Sequence, residues 1–340
     1  MRVSKLGERN LLKKISKMFG SRPSYLRVGI GDDAAVVEPR KGWHLVYTTD
    51  TLVENIDFNL GYTTYCQIGE KALSANLSDL AAMGAYPKYY LLTLGIPSRT
   101  PVSKIMEIFR GLKNTGKKNH VDLIGGDLSE APVLMIGLTL AGEIKPRCAV
   151  LRNGASPGDL IFVTGTIGDS TAGFELLKKK PSFSKINSES RFLMARHLAP
   201  CPRIHEGQLL SEERLATAMI DISDGLSTDL LNLTEASHVG ADIRVDELPL
   251  SPSLVAYGKK MRKNPHRYAL SGGEDFELLF TVSPKKVSRI EDLIAGRKII
   301  AKPIGKITSK RGIRYFDQSG KEIKIKIRGY EHFTSHQNQP

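Results

Sequence analysis

Apolar runs and amphipathic stretches alternate along the chain, and their spacing predicts a mixture of strands and helices. The stretch at 66–87 is rich in Ala and Leu and closes with Gly and Pro, which predicts a helix with a C-terminal stop. Predicted strands lie on either side of it at 42–50 and 88–97, and an amphipathic helix follows at 103–119. Apolar residues at helical spacing near the N-terminus predict one further helix.

The second half of the chain continues the alternation. A Pro-Gly turn within 151–165 leads into a strand, which suggests the start of a second domain. The stretch at 216–225 predicts a strand that ends in a turn, followed by a helix at 226–237. Residues 268–282 and 302–316 are interpreted as strands and hairpins. We therefore expect an α/β (α+β) protein in two parts, with domains at 1–150 and 151–335.

Length and composition are those of a globular protein rather than a membrane protein. The chain has 340 residues, with 41% hydrophobic and 25% charged, which favours two domains with ordinary cores. No apolar run approaches the roughly 18–20 residues that a bilayer span requires, and the N-terminus lacks the apolar core of a secretory signal. The three cysteines of the chain are widely spaced and form no ligand motif, which predicts reduced thiols in a cytoplasmic protein.

The formal net charge of +13 could indicate a nucleic-acid partner. The excess is dispersed, however, and the basic patches lack the interleaved aromatic residues with which single-strand binders stack on bases. A basic surface would equally attract a phosphorylated small molecule. We expect neither a nucleic-acid nor a membrane partner.

Carboxylates recur where predicted apolar strands end beside Gly, Ser or Thr. These strand-end acids are Asp32, Asp33, Asp50, Asp127, Asp221, Asp224, Glu274 and Asp275. Singly, each is explained as a turn residue or a helix cap, and Asp224 or Ser223 would cap the helix that follows. Asp79 is different, because it lies in the middle of a predicted helix among small apolar residues. A shared cause is simpler: the acids converge on hard cations.

Ligand chemistry selects the cation. Carboxylates, with Thr48 and Thr49 as neutral oxygen donors, favour Mg²⁺ or Mn²⁺ over zinc. The coordination shell of Mg²⁺ is usually completed by substrate phosphates, so an open carboxylate cluster points to a nucleotide. The sequence contains no GxxxxGK[ST] loop and no protein-kinase HRD or DFG element. Any ATP is therefore bound through metals and glycine turns of another design.

Several motifs together resemble the thiamine-monophosphate kinase family. They are "GIGDDAAVV", "TTDTLVENIDF", "KALSANLSDLAAMGA", "LIGGD", "RNGASPGD", "DISDGLSTDL", "SGGEDFELLF" and "GYEHF", and they extend from residue 29 to 333 in the order and spacing of that family. The family belongs to a wider ATP-binding group with aminoimidazole ribonucleotide synthetase. The resemblance implies a two-domain aminoimidazole ribonucleotide synthetase-like fold, with N-terminal domains that form a dimer β-barrel and a C-terminal α/β domain.

The resemblance also implies an activity and a site. ATP would phosphorylate thiamine monophosphate to thiamine diphosphate with several Mg²⁺ ions, by direct in-line transfer and without a covalent nucleophile. The positions matching metal ligands are Asp32, Thr48, Thr49, Asp50, Asp79, Asp127, Asp221 and Asp224. Those matching ATP contacts are Phe109, Gly126, Asp127, Arg152 and Ser223. Those matching thiamine phosphate contacts are Asp57, Glu274 and Tyr330.

Position 57 departs from the family, which usually has His there. An aspartate would repel a phosphate unless a metal or a basic side chain intervenes. Two alternatives to the kinase remain open. One is another ATP-dependent enzyme of the wider group, and the other is a non-catalytic basic binding protein on the same scaffold.

Overall fold

The structure is a computed structural model that describes residues 2–6, 8–19, 23–28, 34–179 and 186–325. It divides into two compact units. The N-terminal unit comprises Met1–Leu80 and Ala85–Arg147, and the C-terminal unit comprises Ala81–Gly84 and Cys148–Pro340. Within the described ranges, no helix combines the length and apolar character that a membrane span requires.

The N-terminal unit is built on a four-stranded sheet. Its elements are α1 (Val3–Leu6), α2 (Glu8–Met18), β1 (Leu26–Val28), β2 (Val36–Val37), β3 (His44–Val53), α3 (Tyr65–Ala82), β4 (Tyr86–Ile96), α4 (Val102–Asn119), β5 (Asp122–Glu130) and β6 (Met135–Ile144). The strand order is β3-β6-β4-β5, antiparallel except for the parallel β4–β5 pair, and β1 and β2 form a separate antiparallel pair. The predicted helices and strands of this half are confirmed, with shifts of a few residues at their ends.

One face of this sheet is exposed where β1 and β2 do not cover it. Leu45, Tyr47, Leu91 and Met135 lie on it, since strand alternation and pairing register place them on the same side. The side chains of β4 and β6 that point to the opposite face are buried, for example Leu94 and Leu138. The helices α3 and α4 approach each other closely at two glycines. A Cβ at Gly69 would lie 2.2 Å from the Ile108 carbonyl oxygen, and one at Gly111 would lie 2.0 Å from that of Cys66.

The C-terminal unit contains a seven-stranded mixed sheet and most of the helices. Its elements are β7 (Leu160–Thr164), α5 (Asp169–Lys178), α6 (Ser188–Leu198), α7 (Ile204–Glu212), β8 (Ala216–Asp221), α8 (Leu226–Ala236), β9 (Gly240–Arg244), α9 (Pro252–Met261), α10 (Pro265–Ser271), β10 (Leu278–Val282), α11 (Val287–Ala295), β11 (Ala301–Thr308), β12 (Gly312–Phe316) and β13 (Glu322–Ile323). The strand order is β13-β12-β9-β11-β7-β10-β8, and β12–β9 is the parallel pair.

Both faces of this sheet are covered, and each has its own hydrophobic core. On one face, Ile161 of β7 belongs to the core that includes Leu230 of α8. On the other, Phe162 stacks on Phe280 with ring centroids 5.5 Å apart, in the core that includes Ile290 of α11. Because strand side chains alternate between faces, nearly every position of the central strands is apolar. Polar residues appear at the strand ends, where the candidate site lies.

Two predictions for this half are wrong. Residues 302–316 do not form a hairpin, because β9 lies between β11 and β12 and pairs with both. The stretch that opens the predicted strand at 268–282 is instead the end of α10. That helix is started by Asn264, whose side chain accepts the His266 N–H, and by Pro265 at its first position. The local capping signal outweighs the apolar run that suggested a strand.

Candidate active site

In the N-terminal unit, β3 and α3 hold a group of acids together. Strand alternation places Thr48 and Asp50 on the same side of β3. The Thr48 hydroxyl donates to Asp79 Oδ2 at 2.5 Å, and the Asp50 amide donates to Asn76 Oδ1 at 3.1 Å. Asn76 and Asp79 are three residues apart on α3 and so share one face of the helix. The predicted proximity of Thr48, Asp50 and Asp79 is therefore present in the structure, and Asn76 is a contact that the sequence did not reveal.

The electrostatics of this group favour a cation. We call Asp50, Asp57 and Asp79 the N-terminal acidic cluster. Burial, followed by the negative charges of Asp79 and Asp57, raises the pKa of Asp50 to about 6. Like charges held together out of water cost free energy until a positive ion neutralises them. Carboxylate and hydroxyl oxygens form a donor set that fits Mg²⁺.

A buried lysine adjoins position 57. The Asp57 carboxylate accepts the Val53 amide at 2.8 Å, so it caps the turn that follows β3. Lys71 of α3 is 2% exposed, and its Nζ donates to the Asp57 carbonyl oxygen at 3.4 Å. A basic side chain therefore lies beside position 57, at its backbone carbonyl. No sequence pattern predicted this contact, because Lys71 is only one of many lysines on predicted helices.

Three other predicted residues of this unit lie elsewhere on the sheet. The Thr49 side chain points to the face opposite Thr48 and donates to the Leu138 carbonyl at 2.9 Å. Asp127 lies exposed on β5, where it accepts the Ser129 hydroxyl at 2.8 Å. Its neighbour Gly126 has φ +157°, and a Cβ there would lie 2.0 Å from the Leu92 carbonyl oxygen, so glycine is required.

The sheet separates Asp127 from the N-terminal acidic cluster. The strands β3 and β5 are its two edges, with β6 and β4 between them. Three strand spacings correspond to about 14 Å. Asp127 and the N-terminal acidic cluster of the same chain are therefore too far apart within the sheet to bind one ion directly.

Phe109, which the resemblance places near the nucleotide, is a core side chain in this structure. It is 1% exposed and meets the Phe19 ring edge-on at a centroid distance of 6.2 Å. Its contact with ATP stays a prediction. Asp32, Asp33 and Tyr330 lie outside the described residues.

In the C-terminal unit, one carboxylate organises the loop after β8. Asp229 Oδ2 accepts the amides of Ser223, Asp224 and Gly225, each at 3.1 Å. Burial, and then the charges of Asp221 and Asp224, raises the pKa of Asp229 to about 8. The predicted cap by Ser223 or Asp224 is wrong, because Gly225 occupies the N-cap of α8 without a side-chain bond. The signal that would have identified Asp229 is an acid in the first turn of that helix.

A second loop contacts this one. Glu274 has φ +63°, a strained conformation for a residue other than glycine, and its amide donates to the Ser223 carbonyl at 2.8 Å. A Cβ at Gly273 would lie 2.5 Å from the same carbonyl oxygen. The predicted Ser223, Asp224 and Glu274 are thus brought together by the backbone. Arg152 has an exposed side chain, and its carbonyl accepts the Ser237 hydroxyl at 3.1 Å.

Two buried acids anchor the chain immediately after Glu274. Asp275 accepts the amides of Gly168 at 2.5 Å and Ser170 at 3.1 Å. Burial raises the pKa of Asp275 to about 7. Two residues further along, the Glu277 carboxylate accepts a hydrogen bond from Arg196 Nη2 at 2.8 Å. It also accepts hydrogen bonds from Nε and Nη2 of Arg203, each at 2.6 Å. These fully buried acids fix the loop on which Glu274 stands.

In the part of the chain that the structure describes, no group of three or more His, Cys, Asp or Glu side chains is arranged to hold a metal ion. Mg²⁺ is usually bound by only one or two carboxylates and completed by water and substrate phosphates. The acids of both units fit that mode of binding. Their described positions do not indicate a site in which protein side chains alone surround the ion.

The sequence matches a family of two-domain proteins along most of its length. Residues 31–144 match the N-terminal domain of AIR synthase related protein, and residues 156–318 match the C-terminal domain. A crystal structure of Escherichia coli HypE, at 18% identity, has a TM-score of 0.74 and covers 94% of this chain and 97% of its own. The chain therefore has the two-domain α/β fold of the AIR synthase related class.

Within this class the relatives define one family. The thiamine-monophosphate kinase of Bacillus subtilis is 39% identical over 314 residues, which cover 91% of this chain and 94% of the relative. The crystal structure of thiamine-monophosphate kinase from Stenotrophomonas maltophilia, at 32% identity, has a TM-score of 0.81 and covers 90% and 95% of the two chains. A structure of AaThiL complexed with AMPPCP and TMP, at 35% identity, has a TM-score of 0.77 and covers 98% and 99%. The chain belongs to the thiamine-monophosphate kinase family.

Proposed function

We propose that this protein catalyses the ATP-dependent phosphorylation of thiamine monophosphate to thiamine diphosphate. Family membership over nearly the whole chain supports this activity, as does the relative whose complex holds AMPPCP and TMP. The observation in this chain that carries the proposal is the contact between β3 and α3, where Thr48, Asp50 and Asp79 lie together. Their oxygens suit the metal form in which ATP is bound by phosphotransferases.

The proposed role of Mg²⁺ is to neutralise the triphosphate and the charge that develops on the transferred group. Asp50 and Asp79 would bind it from one side of β3, with Thr48 holding Asp79 in place. Asp127, about 14 Å away across the sheet, would bind a different ion. Ser223, Asp224 and Glu274 are held by two hydrogen-bonded loops in the C-terminal unit and would contact nucleotide and acceptor.

The proposed reaction needs no protein nucleophile or general base. The acceptor phosphate oxygen is already anionic, so no proton must be removed before it attacks the γ-phosphorus. The work left to the chain is to position the two phosphates in line and to exclude alternative acceptors. This fits a site composed of acids, hydroxyls and glycine turns.

A homodimer is also proposed, with the dimer β-barrel that the family resemblance implies. The open face of the N-terminal sheet supports it: Leu45, Tyr47, Leu91 and Met135 are between 37% and 61% exposed there. Exposed apolar residues on one sheet face are typical of an interaction surface. A Tyr47→Glu substitution would place a charge in that interface and is expected to yield monomers in light scattering. Monomeric wild-type protein at micromolar concentration would contradict the dimer.

The activity is tested by an end-point assay with purified protein, ATP, Mg²⁺ and thiamine monophosphate, in which the thiamine phosphates are separated by chromatography. Thiamine diphosphate is expected with wild-type protein and with Asp292→Asn, which removes an exposed acid of α11 and serves as the control. Asp50→Asn is expected to form no product while remaining folded. The absence of thiamine diphosphate with wild-type protein, or full activity of Asp50→Asn, would contradict the proposal.

A further inference from the structure

A buried histidine contacts the side chain of Glu274. His197 on α6 is 3% exposed, and its ring stacks on Phe174 of α5 with centroids 5.0 Å apart and an angle of 26°. Its Nδ1 lies 3.3 Å from Glu274 Oε2 and 3.1 Å from the Ser170 hydroxyl oxygen. The ring is thus held by packing on its face, and one nitrogen is directed at two oxygens.

The chemistry of these partners determines where the proton lies. An ionised carboxylate only accepts hydrogen bonds, so the contact with Glu274 is favourable only when Nδ1 carries hydrogen. Both the neutral Nδ1–H tautomer and the imidazolium satisfy this requirement. Ser170 is fixed in turn, since its amide donates to the buried Asp275 at 3.1 Å. The hydroxyl and the carboxylate therefore share one donor.

The Glu274 backbone is already fixed, but its side chain needs a separate restraint. The amide of Glu274 bonds Ser223, and the following residue is anchored by two amides at the start of α5. The Glu274 side chain is 35% exposed, so packing alone does not define its direction. The contact with His197 Nδ1 at 3.3 Å restrains where this carboxylate points.

We propose that His197, supported by Ser170, is a positioning residue that orients the Glu274 carboxylate toward the thiamine moiety of the acceptor. This rests on the proposed function. Thiamine carries a cationic ring and an amino-substituted ring, and a carboxylate held in one direction binds such groups at a lower entropic cost. His197 touches neither the acceptor nor ATP in this account and acts through Glu274 alone.

Steady-state kinetics of four variants test the proposal. His197→Leu removes the donor, and His197→Asn keeps an N–H near the position of Nδ1. Glu274→Gln removes the charge that is oriented, and His205→Leu replaces an exposed histidine of α7 as the control. His197→Leu should raise KM for thiamine monophosphate about tenfold, the loss expected for one charge-assisted hydrogen bond. We expect kcat and KM for ATP to change less than about twofold, because neither depends on the orientation of Glu274.

Recovery by His197→Asn to within about threefold of wild type would support positioning over a purely structural role. His197→Leu should also have little further effect in a Glu274→Gln background, because the group on which it acts is already altered. Equal losses in kcat and in KM for both substrates, or additive effects with Glu274→Gln, would overturn the proposal.

A spectroscopic test is independent of turnover. The ¹⁵N resonance of His197 Nδ1 should be that of a protonated nitrogen in wild-type protein and should shift in Glu274→Gln. An unprotonated Nδ1, or a resonance that does not respond to Glu274→Gln, would overturn the proposal even if the enzyme is active. If wild-type protein leaves thiamine monophosphate unchanged while Nδ1 responds to Glu274, the proposed function fails and the His197–Glu274 contact remains.

Discussion

The loop that carries Ser223 and Asp224 depends on one buried carboxylate, and this dependence makes a quantitative prediction. Asp229 Oδ2 accepts three loop amides at 3.1 Å, of which the bond from Gly225 is buried and the other two are partly buried. Asp229→Ala removes the acceptor from all three. Asp229→Asn retains a carbonyl oxygen of nearly the same shape and is the matched control.

The size of the effect follows from the number of amides left without a partner. A buried unsatisfied N–H costs about 1–3 kcal/mol, and a partly buried one recovers some of that from water. One full and two partial penalties give about 3 kcal/mol for Asp229→Ala, or roughly 6–12 °C in Tm for a unit of this size. Asp229→Asn should change the free energy of unfolding by less than about 1 kcal/mol. Its amide oxygen still accepts the loop amides, and the carboxyl that it replaces has a pKa raised to about 8 and is largely uncharged at neutral pH.

Chemical denaturation without added divalent cations measures the stability, and the chromatographic assay measures turnover. We expect Asp229→Ala to be both less stable and inactive, since the loop loses the conformation that places Ser223 and Asp224. Asp229→Asn should keep most of the stability of the wild type. Equal stability of the two variants would refute the assignment of the loop conformation to these three hydrogen bonds.

Three further outcomes are expected. Asp50→Asn should abolish turnover yet unfold no more easily than wild type at pH 7.5 without divalent cations, because it relieves a buried like-charge contact. Burial raises the pKa of Asp275 to about 7, so the contribution of this carboxyl to stability falls as pH rises from about 4 to 7. A difference in unfolding free energy between wild type and Asp275→Asn that does not change with pH would contradict this. Glu277→Leu removes the buried carboxylate that Arg196 and Arg203 share and should cost about 3–5 kcal/mol in thermal or chemical unfolding.

Local patterns predicted the parts of the fold and site that depend on neighbours in sequence. The helix that carries Asp79 is confirmed at Tyr65–Ala82, and the strand that delivers Asp50 is confirmed at His44–Val53. Both follow from hydrophobic periodicity, which reports only on residues close along the chain. The proximity of Thr48 to Asp79 was anticipated because Thr48 adjoins a strand-end acid, whereas Asp79 is an acid in the middle of a helix among small apolar residues.

Contacts between distant segments were not predictable in the same way. The strand β9 separates β11 from β12, which a hairpin pattern does not reveal because strand order is a non-local property. Asp229 and Lys71 act through loop amides and a carbonyl whose directions are fixed only in the folded chain. His197 meets Glu274 across a sequence separation that no motif connects. The roles of these residues could be identified only from the structure.

The central claim, that the acids of this chain serve phosphoryl transfer from ATP to thiamine monophosphate, is tested most directly by ³¹P NMR of the reaction mixture. Purified protein is incubated with ATP and thiamine monophosphate, with and without Mg²⁺, and all phosphorus species are followed with time. The account predicts that ADP and thiamine diphosphate form in equal amounts and only when Mg²⁺ is present. Release of inorganic phosphate without thiamine diphosphate, or equal turnover without any divalent cation, would contradict it.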